Sequence, residues 1–235
     1  MKMFSCVVGL LVISGVAFAW PGEKWDTSLV LGLNASSGNS ETLLGTGSIE
    51  TGSEGKKDQV RAKFAAAYGA QEGDTTTQNE NLLGNYRRKI EQGFGYLDGS
   101  VLHDDIADVS IRMLAGLGGG YFLSKTDDLT LSAEAGFGYL YEDVASLEDD
   151  YVTLRVAQEL AWKVSKDARL WQSAEYLPKA QDMGNFLFNA EFGVESAISG
   201  SMSLRVVLQD RYDSDPAEDS EENDLALVSA LTWKL

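Results

Sequence analysis

Residues 128–144, DLTLSAEAGFGYLYEDV, alternate in character for more than a dozen positions. Leu129, Leu131, Ala133, Ala135, Phe137, Tyr139 and Tyr141 project to one side. Thr130, Ser132, Glu134, Gly136 and Gly138 project to the other. This is the period of two of a β-strand, and it contains no helical spacing. A soluble sheet and a membrane barrel can both alternate in this way, so what lies on the apolar side decides the fold.

The start of the chain points to the compartment. Lys2 gives a short basic start, Phe4 to Val16 an apolar run, and Ala17-Phe18-Ala19 a small-x-small cleavage site. These are the parts of a secretory signal peptide, and the run is too short for a lasting membrane helix. Residues 1–19 are therefore expected to be removed, leaving one domain over 20–235. The single cysteine, Cys6, leaves with them. An exported chain of this size without disulfides needs a large core or another solvent.

Composition narrows the partners. The formal charge of −17 becomes −18 once Lys2 is gone, which argues against nucleic acid. The 24 glycines are spread through the chain and only three prolines occur, so nothing reads as a linker. No later stretch resembles a membrane helix, so any span must be made of strands.

Twelve segments alternate as strands: roughly 25–35, 42–51, 59–69, 77–88, 93–102, 108–121, 128–141, 151–163, 168–178, 185–195, 202–212 and 224–235. The second and fifth alternate least clearly. Taken alternately, the connections fall into two sets. One is compact and carries lysine (GSEGKKD, KIEQG, SKTDD, SKDA, ISGS); the other is longer and acidic (AQEGDTTT, HDDIAD, EDVASLEDD, PKAQDMGN, DSDPAEDSEEND). Short periplasmic turns, longer outer loops and an even strand number are the plan of outer-membrane barrels. The first hairpin, SSGNSE, is the exception, with Gly38, Asn39 and Ser40 read as its turn. On this plan Tyr68, Tyr139, Tyr141, Tyr176, Phe186 and Tyr212 fall near the outer rim. Trp25, Tyr86, Tyr121, Trp162 and Trp233 fall near the inner rim. Two aromatic belts around a Leu, Val, Ala and Ile band are the girdles of a transmembrane barrel. The expected fold is all-β: a transmembrane, antiparallel, up-and-down barrel of about twelve strands.

The motifs WDTSLVLGLNASSGNSET, DDIADVSIRMLAGLGGGYFL, LSAEAGFGYLYED and YDSDPAEDSEENDLALVSALTW stand in this order over nearly the whole mature chain. The chain resembles a bacterial family known as salt-induced outer-membrane proteins, catalogued as a domain of unknown function. That resemblance implies an outer-membrane barrel and supplies no catalytic or binding residues.

With apolar positions facing lipid, Arg61, Lys63, Arg87, Arg112, Arg155, Lys163, Arg169, Arg205 and Arg211 face the lumen, with Glu134, Glu159, Glu175, Glu191 and Glu195. An arginine turned toward lipid would cost about 2–4 kcal/mol near the midplane. The interior is expected to be modestly basic. Paired Arg and Glu could plug a barrel of this width, or line a narrow pore, and both readings remain open. The acids Asp149, Asp150, Asp213, Asp215, Glu218, Asp219, Glu221 and Glu222 are expected in solvated outer loops that keep the surface charged, with loose binding of divalent cations as the lesser alternative. DSDPAEDSEEND lacks the glycine of an EF-hand loop, since Glu218 stands there.

His103 in LHDDIAD is the single histidine, beside Ser100, Ser110, Asp104 and Asp105, and no G-x-S-x-G elbow accompanies it. No cofactor motif or metal-ligand spacing is present. The expected function is a narrow channel or stress-related envelope protein without catalytic activity. A closed structural barrel with interacting acidic loops, and a lipid hydrolase built on His103, are the alternatives. Outer-membrane lipid, lipopolysaccharide and the barrel-assembly machinery are the expected partners.

Overall fold

The computed structural model describes residues 24–36, 42–217 and 220–235. The expected signal peptide, the Gly38-Asn39-Ser40 turn, Glu218 and Asp219 lie outside the described residues. Twelve strands follow one another: β1 (Trp25–Ser36), β2 (Thr42–Glu54), β3 (Asp58–Gln71), β4 (Asp74–Ile90), β5 (Gly93–Asp104) and β6 (Val109–Lys125), then β7 (Leu129–Val144), β8 (Leu147–Lys163), β9 (Ala168–Lys179), β10 (Asp182–Ala197), β11 (Met202–Asp213) and β12 (Asn223–Lys234). Each pairs antiparallel with its sequence neighbours, and β12 returns to β1 over pairs from Ser28↔Lys234 to Gly32↔Ala230. Closure satisfies the strands' backbone groups within the sheet, the condition for placing strands in hydrocarbon.

The alternation that opens the sequence sorts two surfaces. Phe137 and Val156 are 54% and 58% exposed on the outside, whereas Ser132 and Thr153 are 1% and 0% exposed on the inside. A soluble barrel would invert this. The aromatics gather at strand ends as expected: Tyr176, Phe186 and Tyr212 form a row across β9, β10 and β11, with ring centroids 5.0 and 5.5 Å apart. β2 and β5 are full strands. β5 looked weak because it inverts the usual pattern, with Phe94, Tyr96 and Asp98 inward and Gly95 and Gly99 on the outer face.

The outer connections differ from expectation. The acidic stretches AQEGDTTT and EDVASLEDD are not long loops but strand extensions joined by two-residue turns. Glu72, Gly73, Ala145 and Ser146 all have positive φ, at 52°, 93°, 51° and 63°. That is the backbone of the tight hairpin turn whose twist matches the flanking strands. β4, β6 and β8 each reach 17 residues, well beyond the roughly 9–11 a tilted crossing needs. Charge density therefore marked protruding hairpins, and not loss of strand. Only the β11–β12 connection, 214–222, is long among the described outer connections, and its Ala217 is buried.

Candidate functional site in the barrel interior

Two cavities occupy the barrel. The outer one, about 470 Å³, is bounded by Asp104, Arg112, Leu140, Arg211 and the 216–217 stretch of the β11–β12 loop. The inner one, about 590 Å³, is bounded by Asp26, Arg61, Asn85 and Arg169. Glu50, Lys63, Arg155, Glu159 and Glu175 line both, so the cavities meet at a belt of charge.

One half of that belt is built on glycine. Phe94 and Tyr96 of β5 lie flat against the inner faces of β6 and β7. A Cβ on Gly118 or Gly136 would overlap the Tyr96 hydroxyl, and one on Gly120 would overlap the Phe94 ring. The rings in turn support guanidinium groups: Arg87 lies 4.9 Å from the Phe94 centroid and Arg155 4.8 Å from that of Tyr96. Carboxylates hold both arginines from the side. Arg155 reaches Glu134 at 2.7 Å, Glu175 at 2.5 Å and Asp98 at 3.4 Å. Arg87 reaches Glu134 at 2.7 Å and Glu159 at 2.5 Å. Glu134 sits beneath them, its side chain wholly buried.

The other half repeats the plan. Trp171 of β9 lies over Gly193 of β10, where a Cβ would strike the indole. Arg169 and Arg205 stand 5.2 and 5.4 Å from its ring. The indole N–H donates to Glu191 at 2.5 Å, and Gln209 donates to the same carboxylate at 2.9 Å. Arg205 bridges Glu50 at 2.8 Å and Glu195 at 3.0 Å. Glu195 also accepts from Arg169 at 2.8 Å and from Ser203 at 2.7 Å. Lys63 reaches Glu50 at 3.6 Å. Above both halves, Arg112 pairs with Glu142 at 2.5 Å and Asp213 at 2.7 Å.

Of the residues read as lumen-facing, Arg61, Lys63, Arg155, Glu159, Arg169 and Glu175 line the inner cavity, while Arg112, Glu191, Arg205 and Arg211 line the outer one. Glu134 reaches neither, since the arginines cover it. The expected basic interior is corrected. Glu50, Asp98, Glu142 and Asp213 also turn inward and each engages an arginine. Glu50 was legible in GSIET, where it falls in phase with inward Ser48; the inward aromatics carried no such signal.

The outer acids disperse. Asp149 pairs with Lys179 at 2.6 Å, and Asp150 accepts from Tyr139 at 2.5 Å. Asp215 accepts from Asn185 at 2.8 Å, Glu222 from Tyr212 at 2.7 Å, and Glu221 edges the outer cavity. No described group of three or more His, Cys, Asp or Glu could hold a metal ion. His103 meets Asp105 at 3.2 Å, and the Ser110 carbonyl at 2.8 Å. Ser100 lines the cavities from the opposite face of β5, away from the ring.

This barrel, closed and charged within, is matched by a family over residues 29–234, described as "Protein of unknown function, DUF481". The chain belongs to the DUF481 family. Among solved structures, the DUF481 barrel is similar to the NanC porin at 9% identity, over 89% of this chain and 100% of that one, with a TM-score of 0.56. It is also similar to the translocator domain of autotransporter NalP from Neisseria meningitidis, at 12% identity over 90% and 87% of the two chains, TM-score 0.50. At such identities the likeness is one of fold: the DUF481 chain has the fold of outer-membrane barrels. Comparison with curated protein sequences gives no match.

Proposed function

We propose that the barrel is a narrow passage through the outer membrane of a Gram-negative-type cell. It works through pore shape and charge, without catalysis. The carrying observation is that the outer and inner cavities share lining residues at the Glu50–Arg155–Glu159 belt. Small solutes and ions would pass between ring-supported arginines and their carboxylates, where lumen charge sets preference. Residues 1–19 direct export, the barrel-assembly machinery inserts the chain, and lipid and lipopolysaccharide surround the band carrying Phe137 and Val156. A role under envelope or salt stress is the further reading that the family resemblance suggests.

A second reading has its own observation. Glu134 is wholly buried and the Arg87 side chain is 7% exposed, so part of the interior is solidly filled. If the fill is complete, the barrel is a closed structural element. Purified barrel in planar bilayers separates the two. Discrete single-channel steps, smaller than those of open sixteen-stranded porins, are expected. A folded barrel that never conducts would rule out the passage and leave the closed reading.

Orientation is tested on intact cells. The inner turns carry Lys56, Lys57 and Lys166, whereas the described residues of the outer 214–222 loop carry Glu221 and Glu222 and no lysine or arginine. A glutamate-specific protease added outside is expected to cut within this loop, and trypsin is expected to spare the inner turns. Tryptic cutting at Lys57 or Lys166 before lysis would invert the topology.

A further inference from the structure

Among the paired charges of the interior, two arginines stand apart. The Arg61 and Arg169 side chains are both 56% exposed, and both line the inner cavity. The carboxylates beside them are more covered: Glu159 is 33% exposed and Glu195 9%. Those carboxylates are also already engaged. Both oxygens of Glu159 accept from Arg87, at 2.8 and 2.5 Å, leaving Arg61 at 4.0 Å, outside hydrogen-bond range. The nearer partner of Arg61 is neutral. Gln59, with its amide turned to suit both groups, accepts from the Arg61 guanidinium at 2.8 and 3.2 Å. Glu195 is shared between Arg169, Arg205 and Ser203. Lys63 adds an ammonium on the same cavity, 3.6 Å from a Glu50 oxygen that Arg205 holds at 2.8 Å.

Topology sets these cations around one space. Arg61 and Lys63 are on β3 and Arg169 is on β9, six strands away around a ring of twelve, hence on opposite walls. The cavity between, about 590 Å³, is within the size range of small-molecule pockets. Six acids edge it as well: Glu50, Asp98, Glu159 and Glu175, each engaged by an arginine, Glu54, which Lys89 holds at 2.5 Å, and Asp26 at the start of β1. Of the guanidinium groups on its walls, Arg87 and Arg155 are only 7% and 10% exposed, so Arg61 and Arg169 are the ones open to the centre, and their fork of donors matches the oxygens of carboxylate and phosphate.

We infer that the inner cavity is a binding site for small, multiply charged oxyanions, held from opposite walls by Arg61 and Lys63 on one side and Arg169 on the other. The site binds whether or not the barrel conducts, so it goes beyond the passage proposed above.

The test is titration calorimetry on the purified, folded barrel in detergent, with citrate and inorganic pyrophosphate as probes and sucrose as the neutral control. Saturable binding of at least one anion is expected, with none of sucrose. Citrate alone would assign the site to carboxylates, and pyrophosphate alone to phosphates. Arg61→Gln and Arg169→Gln should each weaken binding by about tenfold, and the pair by about a hundredfold, one charge-assisted contact being worth about one decade. Arg61→Lys and Arg169→Lys keep the charge and lose the fork, so each should bind more weakly than the parent and more tightly than the matching Gln variant, which guards against a variant that misfolds. Lys166→Gln, a cation 89% exposed on an inner turn, should change nothing. Absence of anion binding, or equal loss in Lys166→Gln, would overturn the site. A barrel that conducts and does not bind either anion refutes this inference and keeps the passage; one that binds and never conducts does the reverse.

Discussion

Glu134→Ala is expected to destabilise the folded barrel by about 3–5 kcal/mol, the cost of removing one member of a buried ion pair and leaving the charge opposite. Glu134 is wholly buried between Arg87 and Arg155, each 2.7 Å away. Arg155 keeps Glu175 and Asp98, and Arg87 keeps Glu159, so the loss should fall short of complete unfolding. Denaturant unfolding in micelles measures it. Arg155→Ala should cost a similar amount. The double variant should cost less than the sum of the two, because the second deletion removes a charge that the first has stranded. If Glu134→Ala costs under 1 kcal/mol, the arginines do not depend on it and the belt is looser than these distances imply. In bilayers the same variant should raise the conductance, since it thins the filled half of the belt.

This network was only half legible in the sequence. Period-two alternation fixed the facing of Arg155 and Glu134, because each has apolar neighbours on both sides along its strand. It could not say that they meet: Arg155 reaches Glu134 and Glu175 only through the pairings of β8 with β7 and β9. The inward rings carried no signal of their own for a related reason. An aromatic in a membrane strand reads as lipid-facing or girdle, yet Phe94, Tyr96 and Trp171 turn inward over glycines of neighbouring strands. Their space is made one or two strands away in the sheet and tens of residues away in sequence, as with Tyr96 and Gly136. The outer hairpins misled in the other direction. Asp149 and Glu142 resembled loop residues by charge, but in register they are strand partners, with Lys179 and Arg112 to hold them. Local composition reports solvent, and the barrel's protruding ends share that solvent with loops.

Lipid facing sets the other large effect, and its size should depend on depth. Val156→Arg is expected to reduce folding stability in lipid vesicles by about 2–4 kcal/mol, the cost of an arginine near the bilayer midplane. Val156 is 58% exposed on the outer surface of β8, three outward positions above Trp162 of the inner belt and two below Val152. Val152 stands opposite Tyr139 of the outer belt. Phe137 is one outward position below that same tyrosine, so Phe137→Arg can extend toward the headgroups and should cost less. The inward control must have room. Ser132 faces inward but is 1% exposed, so an arginine there would be overpacked and its failure would say nothing about lipid. Ser48 lines the outer cavity, and Ser48→Arg should fold nearly as the parent does. The expected order of stability is therefore parent and Ser48→Arg first, Phe137→Arg next and Val156→Arg last, read from urea unfolding in vesicles. The same order in a zwitterionic and an anionic lipid would point to hydrocarbon depth, and not headgroup charge, as the cause. Should Val156→Arg fold as stably as Ser48→Arg, the apolar face of β8 does not meet hydrocarbon, and the exposed band from Phe137 to Leu227 would need another partner.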